Sequence, residues 1–194
     1  MALHAPAATG TEPPLPPARR PRSLWWLAAV AGVAVVGLAV AMTGGGSSDD
    51  ASATLVRENR PAPAFVLGDV RRPEAVVALE KFRGRPVVVN FWASWCPPCL
   101  REMPAFERVH QREGGRIGFV GVNHRDDRDS ALRLLGRTGV TYPSGFDPDG
   151  QVADSYRLVG MPTTVFVSPS GRVVATRRGE MSERQLEATI DKLF

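Results

Sequence analysis

Cys96 and Cys99 are the only cysteines in the chain, and they stand three positions apart in Trp95-Cys96-Pro97-Pro98-Cys99. A cysteine thiolate serves either as a metal ligand or as a nucleophile. A structural zinc site takes about four ligands. The three histidines, His4, His110 and His124, sit at no recognisable ligand spacing from the pair. No metal and no cofactor is therefore expected. A disulfide scaffold would need further cysteines scattered along the chain. What remains is a reactive pair or a small closed loop, and a loop this short gains little stability from closure. Residue type and spacing point to thiol–disulfide exchange.

The flanking segments place the pair. Pro86 to Trp92 is β-branched and aromatic with its proline first, which reads as a buried strand. A helix is expected directly after it, from Pro97 to about Glu113. Positions i and i+3 at a helix start bring two Cβ atoms within bridging distance. Cys96 then lies at the positive end of the helix dipole, where a thiolate is favoured. Cys99 lies one turn deeper. The expected order is attack through Cys96 and resolution through Cys99. Pro97 and Pro98 carry no backbone N–H, so two donors that would stabilise a Cys96 thiolate are missing. The dithiol should accordingly be the better reductant.

Further elements complete an α/β order. Short strands are expected at Ala64–Val66, Val76–Leu79, Arg116–Val122, Thr163–Val167 and Arg172–Thr176, the last two around a Ser168-Pro169-Ser170-Gly171 hairpin. Helices are expected at Arg128–Arg137, Val152–Tyr156 and after Ser182 as a cap. An N-terminal hairpin followed by β-α-β-α-β-β-α describes a mixed sheet covered by helices. The chain has no internal repeats.

Upstream, residues 1–23 are rich in Pro and Ala and end in an arginine cluster, Arg19, Arg20 and Arg22, which reads as a disordered basic flank. Residues 24–42 then run 19 positions without a charge. At 1.5 Å per residue such a helix spans most of a ~30 Å hydrocarbon core. Trp25 and Trp26 fall at its start and the arginines before it, so the flank is expected in the cytoplasm and the rest outside. Cleavage near Ala39-Val40-Ala41 is the rival reading, and it too exports the domain. Residues 43–53 read as a flexible linker, with a single domain over 54–194. The net charge is +4, part of it in that arginine cluster, and no basic stripe with interleaved aromatics appears, so nucleic-acid binding is not expected.

Val89-Asn90-Phe91-Trp92-Ala93-Ser94-Trp95-Cys96-Pro97-Pro98-Cys99, with Glu102-Met103-Pro104 after it, and Gly160-Met161-Pro162-Thr163-Thr164 resemble the thioredoxin superfamily. Within it they are similar to TlpA/ResA/DsbE-like membrane-anchored thiol–disulfide oxidoreductases, over roughly residues 61–194. The resemblance implies a thioredoxin-like fold with an N-terminal β extension, preceded by one transmembrane helix. It also implies a cis Pro162 packed against the cysteines, with the Met161 backbone free to pair with substrate and Trp95 flanking the site. Glu102 would sit beside the cysteines and tune their titration, taking the resolving thiol's proton. Thioredoxin proper carries a buried Asp where this chain has Asn90, so Glu102 would replace that base. Pro104 is expected to kink the helix at most, and His124 to lie on a charged surface loop.

The function implied is an extracytoplasmic disulfide reductase acting on protein disulfides, with apocytochrome c as a client class and a membrane thiol–disulfide electron donor. A disulfide-donating oxidase is the main alternative. A peroxiredoxin-like peroxidase would want Thr where Ala93 stands, and a copper-delivery module would want a CxxxC spacing.

Overall fold

The computed structural model describes residues 55–194. The expected basic flank, the apolar span at 24–42 and the linker at 43–53 lie outside the described residues. Among the described residues, no helix is long and apolar enough to cross a membrane.

Strand β4 (Val87–Trp92) is the axis of the domain, and all six of its residues are buried. Its side chains alternate between two cores, as period-2 geometry requires. Val88 and Trp92 face one core with Met103, Phe106, Leu134, Leu186 and Ile190. Val87, Val89 and Phe91 face the other with Phe65, Phe82, Val152 and Tyr156. A strand covered on both faces needs the near-continuous apolar run that Val-Val-Val-Asn-Phe-Trp supplies. Asn90 is the one polar break in it.

Six strands form the main sheet, in the order β1-β8-β7-β4-β5-β6: β1 (Leu55–Pro61), β5 (Gly118–His124), β6 (Ser144–Asp147), β7 (Thr163–Val167) and β8 (Arg172–Arg178) join β4. β4 runs parallel to β5, with Val87 opposite Gly118 and Trp92 opposite Asn123. It runs antiparallel to β7, with Phe91 opposite Thr163. A separate hairpin, β2 (Val66–Gly68) with β3 (Val76–Ala78), touches the sheet edge through an Asp69–Gly145 bridge. This is the expected N-terminal hairpin, displaced by two residues at its first strand. β1 and β6, both outermost strands, were not expected.

Four helices cover the sheet: α1 (Pro97–Glu113), α2 (Arg128–Thr138), α3 (Gln151–Ser155) and α4 (Glu183–Leu193). α1 has Pro at its first positions and ends on Gly114 at φ 53°, a left-handed cap that glycine adopts freely. It runs continuously through Pro104. α2 starts on Asp127, which accepts from the Asp129 and Ser130 N–H groups. α4 starts on a Ser182/Gln185 capping box.

Candidate active site

Parallel β4 and β5 end on the same sheet edge, where open α/β sheets place their sites. β4 delivers the chain through Ala93-Ser94-Trp95 into Cys96, the N-cap of α1. Cys96 and Cys99 are joined, with an S–S distance of 2.02 Å. Cys96 is 4 % exposed and Cys99 fully buried, which fits the expected depth order. One backbone N–H reaches the Cys96 sulfur: that of Cys99, at 3.2 Å. The two residues between them, both proline, have none to give.

Glu102 lies one turn beyond Cys99 on the buried side of α1 and is 1 % exposed. Asn90 Nδ2 donates to its Oε1 at 2.8 Å, and the Met181 N–H donates to Oε2 at 3.1 Å. Burial pushes its carboxyl up to about 8, with the two hydrogen bonds pulling the other way and the Glu180 charge adding to the rise. Asn90 and Glu102 thus form a single polar unit inside the core. Asn90 Oδ1 is buried without a hydrogen-bond partner.

The Met161–Pro162 peptide is cis. Pro162 is buried, and Met161 packs against the core that holds both cysteines. Met161 contributes neither its N–H nor its C=O to the backbone hydrogen bonds of the described chain. Met161, Pro162 and Pro98 line one groove. Trp95 is 57 % exposed beside Cys96, and Trp92 is fully buried. Trp95, Cys96, Cys99, Met161 and Pro162 therefore gather at one end of the sheet, while Glu102 lies a turn deeper along α1, against Asn90 and the Met181 N–H.

Sequence reasoning missed the residue that fastens this loop. Asp126 accepts from the Ser94 N–H and the Ser94 hydroxyl, each at 2.6 Å, and from Asn123 Nδ2 at 2.8 Å. Next to it, Arg125 sits in the left-handed region at φ 44°, and its carbonyl accepts from Trp95 Nε1 at 3.0 Å. The loop after β5 thereby grips both residues before Cys96. The available signal was topological: Trp92 pairs with Asn123, so the loops that follow them must meet. His124 also differs from expectation. It is half-buried rather than on the surface, its Nδ1 enclosed without a partner, and burial lowers its pKa, with Arg125 adding to the effect. Asp126→Ala should destabilise the oxidised domain by on the order of 2 kcal/mol, the worth of charge-assisted hydrogen bonds, and alter the Trp95 fluorescence. Urea unfolding followed by that fluorescence checks both; an unchanged midpoint and spectrum would refute the clamp.

The fold and this pair define a thioredoxin-like thiol–disulfide oxidoreductase. The family model described as Redoxin matches residues 57–193. The thiol-disulfide oxidoreductase ResA of Halalkalibacterium halodurans is 32 % identical over 139 residues, covering 71 % of this chain and 77 % of that protein. The thiol:disulfide interchange protein DsbE of Allochromatium vinosum is 34 % identical over 122 residues, covering 62 % and 66 %. Among solved structures, a DsbF homologue from Corynebacterium diphtheriae superposes with a TM-score of 0.66 at 27 % identity, covering 76 % of this chain and 96 % of that one. The chain belongs to the Redoxin family and, within it, to the ResA/DsbE-type thiol–disulfide oxidoreductases.

Proposed function

We propose that the protein is an extracytoplasmic disulfide reductase, anchored by residues 24–42, which takes electrons from a membrane thiol–disulfide donor and reduces disulfides of client proteins, apocytochrome c among them. The direction is supported by one observation: the Cys96 sulfur has a single backbone donor where Pro97 and Pro98 remove two others. A pair whose reduced form is poorly stabilised holds its disulfide strongly and gives electrons readily; strong oxidants are the converse case. The anchor rests on the uncharged run and the arginines before it, and the client class on family resemblance alone.

In the proposed cycle the Cys96 thiolate attacks a client disulfide, forming a mixed disulfide and releasing one client thiolate. Glu102, in its ionised form, accepts the proton of Cys99. The Cys99 thiolate attacks the Cys96 sulfur, breaking the mixed disulfide and expelling the second client sulfur as a thiolate, which takes the proton back from Glu102. The client gains two electrons and the pair is oxidised to the disulfide, which the membrane donor reduces again. Met161 and Pro162 hold the client segment, and Trp95 borders it.

Equilibration of the full chain with glutathione or dithiothreitol buffers gives the deciding number. A potential near that of thioredoxin, about −270 mV, or below it is expected. A value near about −120 mV, where strong oxidants lie, would make the protein a disulfide donor.

A further inference from the structure

Beside the redox pair runs a groove of about 500 Å³. Its walls come from the first turns of α1 (Pro98, Arg101), from Val159–Pro162 ahead of β7, and from Arg178 at the end of β8 with Gly179 and Glu180 after it. Val159 is 71 % exposed and lines both this groove and an adjoining concavity of about 250 Å³. The unpaired Met161 backbone lies in the same groove, so an extended chain entering it finds main-chain partners as well as side-chain walls.

The charges in these walls are unequally satisfied. Arg101 is held by Glu180, with Nε at 2.9 Å and an Nη at 2.6 Å from the same carboxylate oxygen. Arg60 is held by Glu58 at 2.6 Å and lies over the Tyr156 ring. Arg178, the last residue of β8, is exposed and lines both concavities, and its side chain enters no hydrogen bond or ion pair among the described residues. Arg157 is likewise exposed in the second concavity, with only a through-space interaction with Glu58. Both guanidinium groups thus lack a direct hydrogen bond or ion pair among the described residues, while the carboxylates lining the concavities, Glu58 and Glu180, are already bound. A carboxylate is the planar acceptor a free guanidinium takes best.

We infer that Arg178, with Arg157 behind it, selects client segments that carry acidic side chains next to the disulfide cysteine, with Val159 and Met161 taking an apolar neighbour. The occupant is an extended acidic segment of a disulfide-bearing protein. This selectivity rests on the reductase reading and names the clients it favours. A basic segment would meet uncompensated like charge at the moment of docking, so the discrimination falls mainly on the association rate.

Two disulfide-bonded peptides, identical but for two Glu or two Lys flanking the cysteine, test this with the reduced full chain. At low salt the Glu peptide should be reduced about fivefold faster or more, and the ratio should fall toward one in 1 M salt. Arg178→Glu should reverse the order, and Arg178→Lys should keep it at a smaller ratio. Equal wild-type rates at low salt, or an order unchanged by Arg178→Glu, overturn the assignment. A wild-type protein that reduces neither peptide nor a neutral small disulfide overturns the reductase reading instead.

Discussion

Cys99→Ser should stop the protein halfway, accumulating a mixed disulfide between Cys96 and its client, whereas Cys96→Ser should form none. Turnover should fall in both by on the order of a thousandfold or more, because each removes a step the other cannot replace. The asymmetry follows from position. Cys96 caps the helix at its exposed end and receives the Cys99 N–H at 3.2 Å. Cys99 is fully buried a turn further in, whereas Cys96 keeps 4 % exposure. Serine at position 99 keeps the backbone donor to Cys96, so the first exchange is preserved and only resolution is lost. Non-reducing electrophoresis with mass spectrometry of the trapped adduct checks the result and identifies the client. Equal trapping by both variants would remove the assigned order of attack.

How far the sequence carried this reading depends on what each element buries. β4 announces itself because both of its faces are covered, and α1 because Pro97 opens it and Gly114 closes it. β1 and β6 are edge strands. The alternating exposure of Leu-Val-Arg-Glu-Asn-Arg-Pro and the four residues Ser-Gly-Phe-Asp carry no apolar run, and their pairing comes from β8 and β5 rather than from local preference. The site divides in the same way. The cysteine pair and the cis Pro162 were legible from short-range spacing and family resemblance. Asp126 acts on Ser94 across 32 residues, and Arg178 borders the groove only because β8 carries it there. Spacing along a chain does not encode contacts that the sheet creates.

Glu102→Gln should abolish the pH dependence that this carboxyl imposes on both stability and exchange. In the folded protein its carboxyl titrates near 8, raised from an ordinary 4.5 chiefly by burial. Between those values the folded chain holds a proton that the unfolded chain has released, so stability falls as pH rises from about 4.5 to about 8 and levels off above. The full window is worth on the order of 5 kcal/mol. Around it, Glu180 adds its charge, while Tyr142 is fully buried with its hydroxyl pushed well above its usual value, by burial first and then by Glu102 and Glu107, and stays neutral. The Gln variant should show no such slope in urea unfolding between pH 5 and 9. Its amide nitrogen, turned toward the Met181 N–H, loses one hydrogen bond, but that cost is the same at every pH and cannot imitate the slope. Exchange should respond in parallel. A group titrating near 8 is poised to take a thiol proton and return it, contributing about a hundredfold when well placed. Stopped-flow reduction of a model disulfide should therefore be slower in Glu102→Gln, with the inflection near pH 8 gone. An inflection that survives the substitution would assign that titration to the cysteines and leave Glu102 a structural partner of Asn90.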